Sequence, residues 1–101
     1  VIARAAHEGE VVWKFRLRPW TIFIDVPRGA RVLSVGAQGP DVVAWLLCDP
    51  DAEYVARMLA AWPTGEVLPT AAEGAAFVGT VQMDDGLVFH VFEGDGPKGT
   101  L

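Results

Sequence analysis

From its eleventh residue onward the chain alternates apolar and polar positions with period two. Val11, Trp13, Phe15 and Leu17 fall on one side of an extended segment, and Lys14, Arg16 and Arg18 on the other. That is the pattern of a half-buried strand, and Pro19 ends or bends it. Residues 20–26 alternate again, with Trp20, Ile22, Ile24 and Val26 opposed to Thr21, Phe23 and Asp25. Pro27-Arg28-Gly29-Ala30 has turn chemistry. Residues 31–38 predict a third strand with Leu33, Val35 and Ala37 inward, and Gln38-Gly39-Pro40-Asp41 predicts the next turn. The run 42–48 is apolar on both faces, as in a central strand or one covered by a partner.

Residues 49–62 read two ways. Asp49 before Pro50 makes a good N-cap and first turn, and Tyr54, Val55, Met58, Leu59 and Trp62 recur at helical spacing. Locally these signs favour a helix, stopped by Pro63-Thr64-Gly65. Residues 68–74 read as loop. Residues 76–83 and 87–93 are two more strands, and Asp84-Asp85-Gly86 between them is a strong hairpin signal, because Asp-Gly suits a tight turn with positive φ. Residues 1–10 read as an N-terminal tail, 11–93 as one β-rich domain and 94–101 as a mobile tail with little apolar surface. Six or seven short strands with turns about every 8–12 residues give an all-β, mainly antiparallel fold, a small sandwich or barrel. The alternative is α+β, if 50–62 is helical.

The C-terminal half carries a resemblance. Phe77-Val78-Gly79-Thr80-Val81-Gln82, a short turn, then Leu87-Val88-Phe89-His90-Val91-Phe92-Glu93 resembles a family of small uncharacterised bacterial and phage proteins built on a domain of unknown function. Trp13-Lys14-Phe15 looks like that family's opening strand. Val26-Pro27-Arg28-Gly29-Ala30 followed by Val32-Leu33-Ser34-Val35, then Trp45, then Thr64-Gly65-Glu66-Val67-Leu68-Pro69, fall in its order. The resemblance covers about residues 11–93. It implies a strand before Thr64-Gly65, which replaces the helix as the expectation for 54–62, although Pro63 stands where the family usually has glycine. It implies a phage or bacterial context and no mechanism.

Composition narrows the function classes. At 101 residues the chain is one domain. Surface scaling leaves roughly 5,600 Å² exposed out of about 16,000 Å² for the extended chain, enough burial for one core without metal or disulfide staples. The only cysteine, Cys48, lies inside the apolar run 42–48 and reads as a small buried hydrophobe in a reducing compartment. No apolar stretch reaches the ~20 residues that span a bilayer, and residues 1–9 do not read as a signal peptide. A cytoplasmic location is the expectation. The net charge of −5 argues against general nucleic-acid binding. The charge is uneven: residues 1–31 carry six basic and three acidic side chains, and residues 32–101 carry two basic and ten acidic. Such asymmetry can orient subunits or define an anion-tolerant patch.

Each chemical candidate has a bland reading beside a functional one. His90 shares a face with Val88 and Phe92 and is either a structural histidine or a ligand contact or general base, with Asp25 or Glu93 as partners. His7 lies in the tail, and two histidines with one cysteine give no metal spacing. Asp49, Asp51 and Glu53 lack the glycine and later glutamate of a calcium loop. Asp84 and Asp85 are turn residues. Lys14, Arg16 and Arg18 line one strand face, with Arg28 and Arg31 near a turn. They form a solvated face or an anion site in which Trp20 or Trp13 stacks on a base. No phosphate-cradling loop or serine-nucleophile elbow is present, and Ser34 is the only serine.

The expectation is a non-enzymatic binding protein that self-associates, without cofactor or metal. Its ligand would be a small anion, such as a nucleotide signal of host antiviral defence, held by Arg16, Arg18, Arg28, Arg31, Trp20 and His90. The alternatives are a protein–protein module acting on a host protein or in a phage particle, and an enzyme using His90 as acid or base.

Overall fold

The computed structural model describes residues 6–97. The outer parts of both expected tails, 1–5 and 98–101, lie outside the described residues. Seven strands form two antiparallel sheets: β1 (Val11–Leu17), β2 (Phe23–Pro27), β3 (Arg31–Gln38), β4 (Asp41–Cys48), β5 (Tyr54–Pro63), β6 (Ala76–Gln82) and β7 (Val88–Gly94). One sheet has the order β1-β4-β3 and the other β2-β5-β7-β6. The protein is all-β, and among the described residues a 3-10 turn at Thr70–Ala72 is the only helical piece. No helix among them is long and apolar enough to cross a membrane.

The core lies between the sheets. The even residues of β4, Val42, Ala44, Leu46 and Cys48, meet Leu59 and Ala61 of β5, Val81 of β6 and Phe89 and Val91 of β7. Trp13, Phe15 and Leu17 of β1 pack on the same cluster, as their alternation predicts. At about 25 cal/mol per Å² of apolar area, such burial supplies the main favourable term in folding. A second, smaller cluster covers the outside of the four-stranded sheet. It holds Met58, Ala60 and Trp62 of β5 with Ala72 of the 3-10 turn, flanked by Ile22, Phe23, Ala75 and Phe92.

That second cluster explains why the helical reading of 50–62 fails. β5 is hydrogen-bonded to β2 on one side and β7 on the other. Leu59 and Ala61 enter the main core and Met58, Ala60 and Trp62 the outer cluster, so from 58 to 62 both faces are apolar. Period two then vanishes from the sequence, and chance helical spacing remains.

Two further expectations change. Residues 20–22 are not strand; β2 begins at Phe23. Thr21 N–H donates to Arg18 C=O at 3.1 Å and Trp20 has φ 71°, left-handed for a residue other than glycine. This tight turn carries the chain from one sheet to the other. In β3, Leu33 is not inward. The register slips between Val32 and Ser34, so Leu33 is the extra residue of a β-bulge and is 52% exposed. Val32 and Val35 pack against the core instead. At the far end, β7 continues to Gly94 and the Asp95 carbonyl accepts from Met58 N–H at 3.3 Å.

The β6–β7 hairpin follows its sequence closely. Met83 N–H donates to Leu87 C=O at 2.8 Å, Leu87 N–H donates to Asp85 Oδ1 at 3.0 Å, and Gly86 takes the positive φ, 91°, that closes the turn.

Candidate functional site

The basic residues do not form one patch. Arg16 pairs across the sheet with Val43 and Arg31 with Leu47, four residues apart on β4, so the two lie about 13 Å apart along the strand direction. Arg31 is mostly buried beside Glu10 at 4.0 Å. Arg28, in the β2–β3 turn, donates through Nε and Nη2 to Glu53 Oε1, both at 2.8 Å, and its backbone N–H donates to the Glu53 carbonyl. Both cations at this end are held by carboxylates. Lys14, midway, donates to Gln38 Oε1 at 2.7 Å.

Arg16 and Arg18 lie at the other end, where β1 finishes beside the β3–β4 and β6–β7 turns. Here a cleft of about 370 Å³ opens between the two hairpin tips. Leu17, Val42 and Phe89 form its apolar floor, Pro19, Pro40 and Leu87 its walls, and Arg16, Arg18, Asp41 and Asp85 its polar groups. Arg16 Nη1 stands 3.6 Å from Asp41 Oδ2, with both side chains roughly half-exposed. Arg18 is exposed and makes no ion pair among the described residues. An apolar floor beside a free guanidinium suits a small ligand with one anionic and one apolar part.

A larger groove, about 1010 Å³, runs along the edge of the outer cluster. Its charged groups are Arg57, Glu73, Glu93 and Asp95. Arg57 Nη2 is already 3.2 Å from Glu93 Oε1, and its Nη1 donates to the Ala30 carbonyl. Size favours this groove, but its surplus of carboxylates repels an anion, so charge selects the smaller cleft.

Trp20 and His90 are elsewhere. Trp20 is half-exposed and sits edge-on to Trp62, ring centroids 4.9 Å apart, over the outer cluster; it does not line the cleft. His90 pairs with Trp62 of β5 and Thr80 of β6. Its Nε2 is 2.7 Å from Thr64 Oγ1 and its Nδ1 is 3.1 Å from Thr80 Oγ1. Both ring nitrogens are thus engaged by threonine hydroxyls. Glu93 is an odd number of residues away on β7 and faces the core side with Arg57, while Asp25 is on β2, two strands away. The structure brings neither carboxylate to the imidazole. No three His, Cys, Asp or Glu side chains among the described residues are grouped to hold a metal ion.

A family model for a domain of unknown function (DUF7352) matches residues 9–100. The chain belongs to this family. The DUF7352 match spans both sheets and the cleft, so the cleft lies wholly within the family's domain. No curated protein and no solved structure matches the chain. Sequence reasoning missed Asp41 as the partner of Arg16 and missed Arg57 altogether. Arg57 had a visible signal, a lone cation inside the apolar run 55–62. Asp41 had none, because cross-strand register decides its position.

Proposed function

We propose that this DUF7352 protein is a non-enzymatic binding protein that works as a homo-oligomer and takes a small anionic ligand in the cleft between its hairpin tips. The observation that carries the reading is Arg18, exposed and without an ion pair among the described residues, beside the floor of Leu17, Val42 and Phe89. The anionic group seats at Arg18 and draws Arg16 from Asp41. Asp41 and Asp85 oppose a second anion and so favour a ligand carrying a single compact charge. A phage or bacterial origin and a cytoplasmic location complete this reading; the buried free thiol of Cys48 fits a reducing compartment. In that setting a cyclic nucleotide signal of host defence is a fitting ligand, its base against the proline and leucine walls rather than on Trp20. The engagement of both His90 nitrogens by hydroxyls supports a binding role over acid–base chemistry.

Isothermal titration with a panel of cyclic nucleotides tests this. The expected result is saturable heat with one member, weakened by Arg18→Ala at least ~10-fold, since a charge-assisted contact contributes about 1.5–3 kcal/mol. No heat and no thermal shift across the panel would retire the nucleotide ligand.

A further inference from the structure

The cleft between the hairpin tips carries one carboxylate that no cation holds. Asp41 faces Arg16 at 3.6 Å, whereas Asp85 makes no ion pair among the described residues. Of the two acids at the tip of the β6–β7 hairpin, Asp85 lines the cleft and Asp84 does not. The backbone fixes the place of Asp85. Its Oδ1 accepts from Leu87 N–H at 3.0 Å. Met83 N–H on the Leu87 carbonyl, at 2.8 Å, and Gly86 N–H on the Met83 carbonyl, at 3.0 Å, close the turn around it. Oδ2 has no partner among the described residues, and Oδ1 keeps a second lone pair. A carboxylate held in this way is a preorganised pair of acceptors.

This acceptor and the free cation of the cleft stand on different sheets. Arg18 follows β1 of the three-stranded sheet, and Asp85 lies between β6 and β7 of the four-stranded one. Stacked sheets lie about 10 Å apart, and the floor of Leu17, Val42 and Phe89 occupies the space between. A ligand that fits has a compact anion at one end, a flat body over the floor and N–H donors at the other end. A cyclic mononucleotide spans a similar length from phosphate to base edge. A carboxylate takes two donors best when they are adjacent and parallel, as it takes a guanidinium. Among the nucleobases guanine offers that pair, its N1–H beside its exocyclic amino group. Adenine and cytosine set a bare ring nitrogen beside their amino group, and uracil sets carbonyls beside its N–H. A lone pair turned to Asp85 is repelled and left without a donor.

We infer that Asp85 makes the cleft selective for guanine. The preferred ligand is a guanine-bearing cyclic mononucleotide, with its phosphate at Arg18 and its N1–H and amino edge at Asp85. Met83, at the root of the same tip, also lines the cleft and offers the base a soft apolar contact. Asp85 favours this base without adding a binding cation, because neutral N–H donors satisfy it. The inference rests on the nucleotide ligand of the proposed function and adds the group that selects its base.

Isothermal titration of the wild type and of Asp85→Asn with the cyclic monophosphates of guanosine, inosine and adenosine tests it. Asparagine keeps an oxygen for Leu87 N–H, so the turn survives, but it puts an amino group where the second acceptor stood. The wild type is expected to bind the guanosine ligand at least ~10-fold tighter than the adenosine one. The inosine ligand, which lacks the exocyclic amino group, is expected to fall between them. Asp85→Asn is expected to erase the preference by weakening guanosine binding while adenosine binding is retained. Equal affinities, or a preference for adenosine, overturn guanine selection and leave the nucleotide reading standing. A guanosine preference that survives Asp85→Asn does the same. No heat with any of the three ligands overturns this inference, and no heat across the wider panel of cyclic nucleotides overturns the nucleotide reading with it.

Discussion

Arg28 and Arg57 each hold a glutamate, but in different surroundings, and their contributions should differ accordingly. The Arg28–Glu53 pair is 65% and 70% exposed, and water screens it. The Arg57–Glu93 pair is 26% and 32% exposed, and Arg57 also caps the Ala30 carbonyl where the chain enters β3, so it ties one sheet to the other. Arg28→Ala is expected to cost under about 1 kcal/mol. Arg57→Ala is expected to cost about 1–3 kcal/mol, since it leaves a partly buried acceptor and carboxylate without their donor. Urea midpoints at constant slope read both, and equal losses would refute the distinction. Cys48 offers a second test. Burial pushes its thiol pKa up, Glu10 adds to the rise, and a hydrogen bond from the Trp13 backbone opposes it. The unfolded chain therefore loses this proton first as pH climbs. The stabilising effect is complete below the unfolded thiol's pKa and is lost as pH rises through the folded one. Native protein should react slowly with a thiol reagent at mildly alkaline pH, and urea-unfolded protein rapidly.

At the scale of elements, the segment between β5 and β6 depends on one side chain. Trp62 Nε1 donates to the Val67 carbonyl at 2.9 Å, its ring meets Trp20, and Ala72 from the 3-10 turn seals the cluster it belongs to. Trp62→Phe is expected to destabilise by about 1–3 kcal/mol and to speed amide exchange in residues 66–75 while the β4 core stays protected. Uniform loss of protection would mean that this segment unfolds only with the whole domain. The same region shows what sequence makes legible. β1, β4, the β3–β4 turn and the β6–β7 hairpin were readable because their chemistry is local: alternation, an apolar run, and turn residues at fixed offsets. β5 was readable as a strand only through the family resemblance, because a strand buried on both faces has no alternation to show. The bulge that turns Leu33 outward and the φ of 71° at Trp20 left no mark, since both answer to partner strands and sheet crossing. The candidate site was half legible. Arg16 and Arg18 were identified, but register alone separates them from Arg28 and Arg31 and places Asp41 opposite.

At the scale of the whole molecule, that separation gives the fold two basic ends of unequal readiness. Arg28 and Arg31 are neutralised by Glu53 and Glu10, whereas Arg16 shares a loose pair with Asp41 and Arg18 is exposed beside the cleft. A ligand that binds only the folded state stabilises it by RT ln(1 + [L]/Kd), about 2.7 kcal/mol at a hundredfold excess over Kd. An anionic ligand in the cleft should therefore raise the melting temperature of the wild type and of Arg28→Ala by similar amounts, and fail to raise that of Arg18→Ala. Asp41→Asn frees Arg16 and removes an opposing charge, so it should strengthen binding, and added salt should weaken binding in every variant. Thermal shift against ligand concentration for the four proteins separates a site at the hairpin tips from diffuse attraction. Diffuse attraction would respond to Arg28→Ala and Arg18→Ala alike, because each removes one positive charge from the same net total.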